Sequence, residues 1–163
     1  RAREVFPVAA DADVPGAVHR LTTIISFRAP ARRLVRWIDA VGGDAWLYHF
    51  TRNPRSGRAG REGVFHGLEI GYAFKTLAAL GGETDRALAE DMHRRWINFA
   101  ATGDPNRGAD GSVPPDPPWP KYEVKTDRHL EFGDRVTVGT GLDREACDLV
   151  DRASARRHPT KAP

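Results

Sequence analysis

The feature that most constrains this chain is a short apolar run, DAWLYHF, at residues 44–50. Its bulky residues follow one another almost without a polar break, and a glycine and a proline lie to either side. The bulky residues are Trp46, Leu47, Tyr48 and Phe50. This pattern is typical of a strand that is buried on both faces. Such a strand needs strand partners, so the fold of this chain must include a sheet or join one.

Helical periodicity is clearest over residues 84–102. Thr84 can cap the helix, and Gly103 follows its last turn. Four apolar residues fall on one stripe, and charged residues are expected on the opposite, exposed face. The stripe is Leu88, Met92, Trp96 and Phe99, and the exposed face is Arg86, Glu90, Arg94 and Arg95. This segment is therefore predicted to be an amphipathic helix on a core.

Two shorter helices are predicted on either side of it. Residues 31–41 place apolar side chains at helical spacing, with Pro30 near the first turn and two glycines after the last. Residues 142–155 have the composition of a last helix, which Asp143 opens.

The remaining segments are predicted to be irregular or rich in turns. Residues 1–22 are interpreted as irregular chain, and residues 52–61, with arginines among proline, glycine and serine, as a solvated loop. Apolar and polar residues alternate over residues 122–132 around a turn at residues 126–128, which predicts an antiparallel hairpin. Residues 156–163 are expected to be a frayed, disordered tail.

These elements do not add up to a complete domain. A doubly buried strand, a hairpin and three helices provide too few strands for the sheet that residues 44–50 require. Parallel strands also need crossover connections, and none is evident in the sequence. The whole chain, residues 1–163, is therefore predicted to be part of a larger domain.

Composition and charge exclude several kinds of partner. With 29% charged residues and no apolar run near the roughly 20 residues that cross a bilayer, no membrane partner is expected. The net charge is only +3, and no aromatic residues interleave with the arginines of residues 52–61, so no nucleic-acid partner is expected. The single cysteine, Cys147, allows neither an intrachain disulfide nor a multi-thiolate metal site, and it is predicted to be a small buried hydrophobe.

The segment GVFHGLE, residues 63–69, places His66 between glycines and bulky apolar residues. Gly63 and Gly67 permit a tight loop, and Phe65 is one of the residues that would anchor it. From these residues alone, His66 is either a structural loop histidine or a general base that follows a buried strand.

The other five histidines are interpreted as packed or surface residues. No second histidine or carboxylate falls at ligand spacing on a regular element near any of them. They are His19, His49, His93, His129 and His158. No metal site and no cofactor is therefore expected.

Several motifs, in order and spacing, resemble the C-terminal third of the type-B carboxylesterase and cholinesterase family. The resemblance covers roughly residues 20–150, and its most specific parts are GVFHGLE and the segment WINFAATGDPN at residues 96–106. It implies an α/β fold: the C-terminal part of an α/β-hydrolase, with helices on part of a central sheet plus a small C-terminal hairpin and helix. It also implies hydrolysis of carboxylic esters by a serine, an acidic residue and a histidine.

Carried over residue by residue, the resemblance makes His66 the catalytic histidine. Glu69 matches a family glutamate near the site, which either supports the histidine or simply holds the loop, and Gly67 is a second supporting residue. Phe65 and Arg61 are expected at the rim of the substrate pocket. The matched residues at 96–106 are expected to be structural.

The sequence also departs from the family. It contains no G-x-S-x-G nucleophile motif and no HGG-type oxyanion segment, so this chain alone is expected to be inactive. The expected partners are the N-terminal remainder of the hydrolase domain and a small-molecule ester. Ala29 stands where many animal members have the cysteine that pairs with one near the end of the chain, so Cys147 is expected to be a free thiol. A non-catalytic interaction module and a truncated inactive fragment are the alternatives.

Overall fold

The computed structural model describes residues 2–76 and 82–157, and its contacts divide the chain into two compact units. Among these residues, the first unit contains 2–47, 122–127 and 141–157, and the second contains the rest. Each unit is therefore built from segments that are far apart in the sequence. Residues 158–163, most of the expected tail, lie outside the described residues, and so does His158.

Helices predominate among the described elements. The helices are α1 (Ala2–Val5), α2 (Val14–Thr23), α3 (Ala29–Ala40), α4 (Gly57–Glu62), α5 (Ile70–Ala73), α6 (Glu83–Thr102) and α7 (Arg144–Arg157), with a 3₁₀ turn at Asp11–Asp13 and a π-helical turn at Ile24–Arg28. The strands are β1 (Tyr48–Phe50), β2 (Arg128–Phe132) and β3 (Val136–Thr140). Among the described residues, none of the helices has the length and apolarity needed to cross a bilayer.

The expectation of irregular chain over residues 1–22 is wrong. Two helices and the 3₁₀ turn occupy most of this segment. Pro15 lies in the first turn of α2, where a backbone N–H has no intrahelical acceptor to lose. It therefore begins a helix rather than a turn.

The predicted helix at residues 31–41 is α3, and it continues the π-helical turn without a break. The N–H of Ala29 donates to the carbonyl of Ile24, the wide spacing that defines this turn. Pro30 follows directly and cannot donate to the helix, so the wider turn falls where a regular hydrogen bond would be lost. The last helix is α7, and Asp143 precedes it as expected: its carbonyl accepts from the Cys147 N–H at 2.9 Å.

Cys147 is fully buried in the first unit, in a cluster with Ile24, Ala29 and Ala146. It is a free cysteine, and burial raises the pKa of its thiol. These observations confirm the expected small, buried, free thiol. Ala29 packs in the same cluster, the position at which the resemblance expects a cysteine in other members.

A buried carboxylate fixes residues 122–127. Asp127 is 1% exposed and accepts hydrogen bonds from Arg32, from the Tyr122 hydroxyl at 3.0 Å and from Arg144 Nε at 2.8 Å. Burial, with Asp127 as the second cause, raises the pKa of Tyr122 to about 12. Because these bonds hold the segment as a loop, the predicted hairpin around residues 126–128 is wrong.

The second unit contains a three-stranded sheet in the order β1-β2-β3. Strand β1 pairs with β2 in parallel, with His49 opposite Glu131, and β2 pairs with β3 antiparallel, with His129 opposite Gly139. The hairpin is therefore β2–β3, displaced along the chain from the predicted one. The strand within residues 44–50 is also shorter than predicted, because only Tyr48–Phe50 pairs with a neighbour.

The parallel pair requires a crossover, and residues 51–127 provide it. The expectation that no crossover is present was therefore wrong. Part of the crossover is α4, which forms within the predicted arginine loop at residues 52–61. Its only buried side chain is Ala59, so its arginines stay at the surface.

Helix α6 ends where predicted, but it begins at Glu83, two residues before the start that a Thr84 cap implies, and Gly82 takes the cap position. Its buried face also differs from the predicted one. It ends at Gly103, whose φ of +78° is the left-handed conformation expected after a last turn. Leu88 and Met92 are buried as predicted, whereas Phe99 is 51% exposed. Arg95, expected at the surface, is fully buried and donates to Asp91 at 2.9 Å and to two proline carbonyls at 2.6 and 3.1 Å. Those carbonyls lie in the irregular connector and make burial of the guanidinium tolerable.

Aromatic rings form the centre of the second unit. Tyr48 packs edge-on against Trp96 and Trp119, with ring centroids 5.2 and 5.9 Å apart, and Phe132 contacts both tryptophans. Trp119 is fixed by Asn106, which accepts from its N–H at 2.7 Å and donates to its carbonyl at 2.9 Å. The structural role expected for the segment at residues 96–106 agrees with these contacts.

Candidate active site

The His66 turn, residues 63–69, begins where α4 ends and leads into α5. Gly63 and Gly67 both have positive φ, +80° and +87°, as expected for glycines on either side of a tight loop. The Leu68 N–H donates to the Phe65 carbonyl, and the Ile70 N–H donates to the Gly67 carbonyl, both at 3.2 Å. A Cβ on Gly67 would meet only Ile70, at 3.7 Å, so conformation and not space requires glycine there.

His66 is exposed, whereas Leu68 two residues later is buried. Leu68 therefore anchors the turn, and the imidazole lies on the outside of the unit. A histidine packed inside the core would have no route to a substrate. The observed position leaves His66 accessible to groups that this chain does not contain.

Glu69 is half-buried and hydrogen-bonds to the hydroxyl of Tyr48 on β1. Burial first, and the Glu69 carboxylate second, raise the pKa of Tyr48 to about 12, so the phenol stays neutral and acts as the donor. This bond ties the end of the His66 turn to the sheet. The partner of Glu69 in this contact is the phenol of Tyr48, and its role beside His66 stays a prediction.

The expected pocket rim lies next to the turn. Phe65 is half-buried, and the guanidinium of Arg58 lies over its ring, 4.3 Å from the centroid. Arg58 also pairs with Glu62 at 2.6 Å along α4. Arg61, also on α4, is exposed.

Arg52, expected in a solvated loop, is instead part of a mostly buried network. It donates twice to Asp85, at 2.6 and 2.9 Å, and the Tyr72 hydroxyl donates to the same carboxylate at 2.7 Å. The arginine hydrogen bond is the main cause of the lowered pKa of Asp85. Tyr72 belongs to α5, so the helix that follows the His66 turn is fixed to the start of α6. Asp85 in a first helical turn was the one local signal for this network.

A second group of ionisable side chains lies on the sheet. His49, His129 and Glu131 place their ligand-type atoms within 4.8 Å of one another. His129 is buried, and the other two are half-buried. The sequence argument against metal ligands considered spacing along the chain, whereas these residues meet through strand register. A signal was present in His-x-Glu at residues 129–131, since alternate residues of a strand share a face.

Comparisons with known proteins identify the family of this chain. The model of the carboxylesterase family matches residues 10–150. The chain is 32% identical to the fumonisin B1 esterase of Sphingopyxis macrogoltabida over 148 residues, which is 84% of this chain and 26% of that protein. It is 38% identical to acetylcholinesterase 1 of Caenorhabditis elegans over 122 residues, 65% of this chain and 19% of that protein.

Among solved structures, a carboxylesterase of Geobacillus stearothermophilus matches with a TM-score of 0.67 and 25% identity, covering 89% of this chain and 30% of that one. This match confirms the expected fold class, part of an α/β-hydrolase, with helices and a small partial sheet. The chain spans less than a third of the length of each of these relatives. The roles of His66, Glu69, Gly67, Phe65 and Arg61 stay predictions.

Proposed function

Because this chain belongs to the carboxylesterase family, we propose that it supplies the catalytic histidine, His66, of a serine esterase that cleaves carboxylic esters through an acyl-enzyme. The observation that carries the proposal is the position of His66: exposed, on a turn whose two glycines adopt positive φ. A rigid turn that presents an accessible imidazole is what a general base needs.

In the proposed mechanism, neutral His66 accepts the proton of a serine hydroxyl as the oxygen attacks the ester carbonyl. The imidazolium then gives this proton to the departing alcohol, which leaves an acyl-enzyme. In the second half-reaction His66 takes a proton from water as the water oxygen attacks the acyl carbon, and it then gives this proton to the departing serine oxygen, which releases the acid and restores the serine. Each half-reaction returns the imidazole to its neutral state, so one histidine serves both halves.

Glu69 and Gly67 are proposed to position His66 without reacting themselves. Glu69 holds the end of the turn to β1 through Tyr48, and Gly67 allows the backbone to reverse directly after the imidazole. A general base contributes about 10² to 10⁴ in rate only when it stays within hydrogen-bond reach of the nucleophile. Loss of either support would therefore lower the rate through geometry.

The partner proposed for this chain is the remainder of one hydrolase domain, of which residues 1–163 are the C-terminal part. Large apolar side chains stay exposed in each unit. They include Leu34, Trp37 and Val41 in the first, and Ile70, Phe74 and Ile97 in the second. Burial of these side chains against a further segment would remove their apolar surface from water. The small share of each relative that this chain covers supports a covering segment of the same domain.

The substrate is proposed to be a small-molecule ester. The relatives are named for fumonisin B1 and for acetylcholine, and the match does not choose between such different esters. The exposed Arg61 and the partly exposed Phe65 would lie at the pocket rim, where positive charge favours esters that carry a carboxylate.

Two measurements test the proposal. The purified 163-residue chain is expected to hydrolyse a p-nitrophenyl ester no faster than its His66→Ala variant, because it lacks a nucleophile motif. Sequencing the gene upstream of Arg1 is expected to find serine in a G-x-S-x-G motif. Another residue in place of that serine would contradict the esterase and favour an interaction module. If the isolated chain hydrolyses the ester in a way that depends on His66, the proposal that the nucleophile lies outside this chain is contradicted.

A further inference from the structure

We propose that His49, His129 and Glu131 form a binding site for a divalent transition-metal ion of the zinc type. The site lies on the sheet and uses none of the residues assigned to ester hydrolysis. It therefore stands or fails independently of the proposed function.

Strand register brings the three residues together. His49 is the partner of Glu131 across the parallel β1–β2 pair. His129 and Glu131 are two residues apart on β2, so their side chains leave the same face of the sheet. Ligand atoms about 2.0–2.2 Å from a tetrahedral zinc lie roughly 3.4 Å from each other. Side-chain rotations that move these atoms by about 1 Å convert the observed group, within 4.8 Å, into a coordinating one.

Two glycines leave the space that this group occupies. A Cβ on Gly139, which faces His129 across the β2–β3 pair, would lie 2.5 and 2.6 Å from two atoms of the imidazole. A Cβ on Gly133 would lie 2.8 Å from Oγ1 of Thr51. The Gly139 backbone does not have positive φ, so the requirement there is room for the histidine ring. The sheet is thus shaped around His129, as a ligand site requires.

Thr51 orients the carboxylate. Its Oγ1 donates to Oε1 of Glu131 at 2.9 Å. A carboxylate has two oxygens, so Glu131 can keep this bond through one oxygen and bind a metal ion through the other. Hydrogen bonds of this kind hold metal ligands in place and raise metal affinity, typically about 10- to 100-fold.

The donor set selects the ion. Two imidazoles and one carboxylate suit Zn²⁺, and also iron and manganese, better than they suit Ca²⁺ or Mg²⁺, which prefer oxygen alone. Glu131 also borders a recess of about 560 Å³, which is large enough for water to complete the coordination. Arg55, Arg135 and Asp134 line the same recess, and because Asp134 is paired with Arg52 at 2.6 Å, the two other arginines oppose a cation there.

The test is titration of the purified 163-residue chain with Zn²⁺ by calorimetry and with Co²⁺ by visible absorption, a direct reporter of coordination. We expect one equivalent of Zn²⁺ to bind, and His49→Gln and Glu131→Gln each to weaken binding by more than about 100-fold. Glu131→Gln keeps the side-chain shape and the Thr51 contact, so it tests ligation even if the histidine variants fold poorly. Circular dichroism and the melting temperature verify the fold of each variant.

The matched control is His19→Gln, which removes an exposed imidazole from α2. It should bind Zn²⁺ as the unmodified chain does and show the same Co²⁺ spectrum. If His19→Gln lowers Zn²⁺ affinity as much as His49→Gln does, Zn²⁺ binds to surface histidines in general, and the proposal is overturned. So would an unmodified chain that takes up no Zn²⁺, or folded His49→Gln and Glu131→Gln variants with unchanged affinity.

Discussion

The His66 turn and the His49, His129 and Glu131 group are two histidine-containing regions of one structural unit, and they are built in opposite ways. Seven consecutive residues define the turn, with a positive-φ glycine on each side of the histidine. The sheet group is assembled from two strands that lie about 80 residues apart in the sequence. A local motif is visible in the sequence itself, whereas the second group becomes visible only once strand register is known.

The turn nevertheless depends on distant residues. It is held at its end by Tyr48 through Glu69, and the following helix is held by Asp85 and Arg52 through Tyr72. A motif of consecutive residues can therefore be recognised in the sequence and still depend on long-range contacts for its position.

Asp85→Asn should destabilise the chain by about 2 to 3 kcal/mol, because it leaves the Arg52 guanidinium without its main buried partner. The pKa of Asp85 is lowered in the folded state from 3.8. Its contribution is therefore present above pH 3.8 and is lost as the pH falls through the lower folded value. Urea denaturation between pH 2 and 7 measures this. Glu83→Gln, an exposed acid in the same helical turn, is the control and should keep the acid dependence of the unmodified chain.

Gly67→Ala and Gly139→Ala give the sharpest contrast between the two regions. At Gly67 a methyl group makes only an ordinary contact with Ile70, at 3.7 Å, but the backbone has positive φ, so a cost of about 1 to 2 kcal/mol is expected with Zn²⁺ affinity unchanged. At Gly139 the methyl group would overlap the His129 ring, so Zn²⁺ affinity should fall at least about 10-fold. Denaturation and calorimetry on both variants decide this. If both variants lower Zn²⁺ affinity equally, the metal site is not specific to the space that Gly139 leaves for His129.

Tyr48→Phe should cost about 1 kcal/mol, the usual net value of one hydrogen bond. It removes the partner of Glu69 and leaves the aromatic packing intact. The effect should be local: amide exchange at Leu68 and Ile70 should accelerate more than exchange in α6. Uniform acceleration across the second unit would mean that Tyr48 acts through the aromatic core and not through the turn.

The smallest effect is expected at the pocket rim. In the proposed complete esterase, Arg61→Ala should lower kcat/KM for an anionic ester by about threefold or less, and the difference should vanish as salt rises. Arg107→Ala, an exposed charge in the connector, is the control. The same decrease for a neutral ester would argue against electrostatic steering by Arg61.

Local signals in the sequence were sufficient for the features that depend on neighbouring residues. The end of α6 at Gly103, the glycines around His66 and the buried Cys147 all follow from short patterns. Tertiary partners account for what was missed. Arg95 is buried because proline carbonyls of the connector accept hydrogen bonds from its guanidinium. Residues 122–127 form a loop because Asp127 binds Arg32 and Arg144.

The sheet was the least predictable part. Its parallel pairing joins β1 to a strand that follows a long crossover, and no local pattern encodes that register. The predicted hairpin lies too early in the chain. Tyr122 and Val124 alternate with polar residues as in a strand, but Tyr122 packs with Val35 and Leu47 in the first unit. The position of His49 next to His129 and Glu131 depends on the same register, whereas the His-x-Glu pair at residues 129–131 is visible in the sequence.

The role proposed for His66 is tested most directly in the proposed complete esterase, by comparing the kcat of His66→Gln with that of the unmodified protein. We expect kcat to fall by about 10² to 10⁴ with KM little changed, and His19→Gln to keep the kcat and KM of the unmodified protein. A folded His66→Gln enzyme whose kcat stays within about twofold of the unmodified value would contradict the role of His66 as the general base.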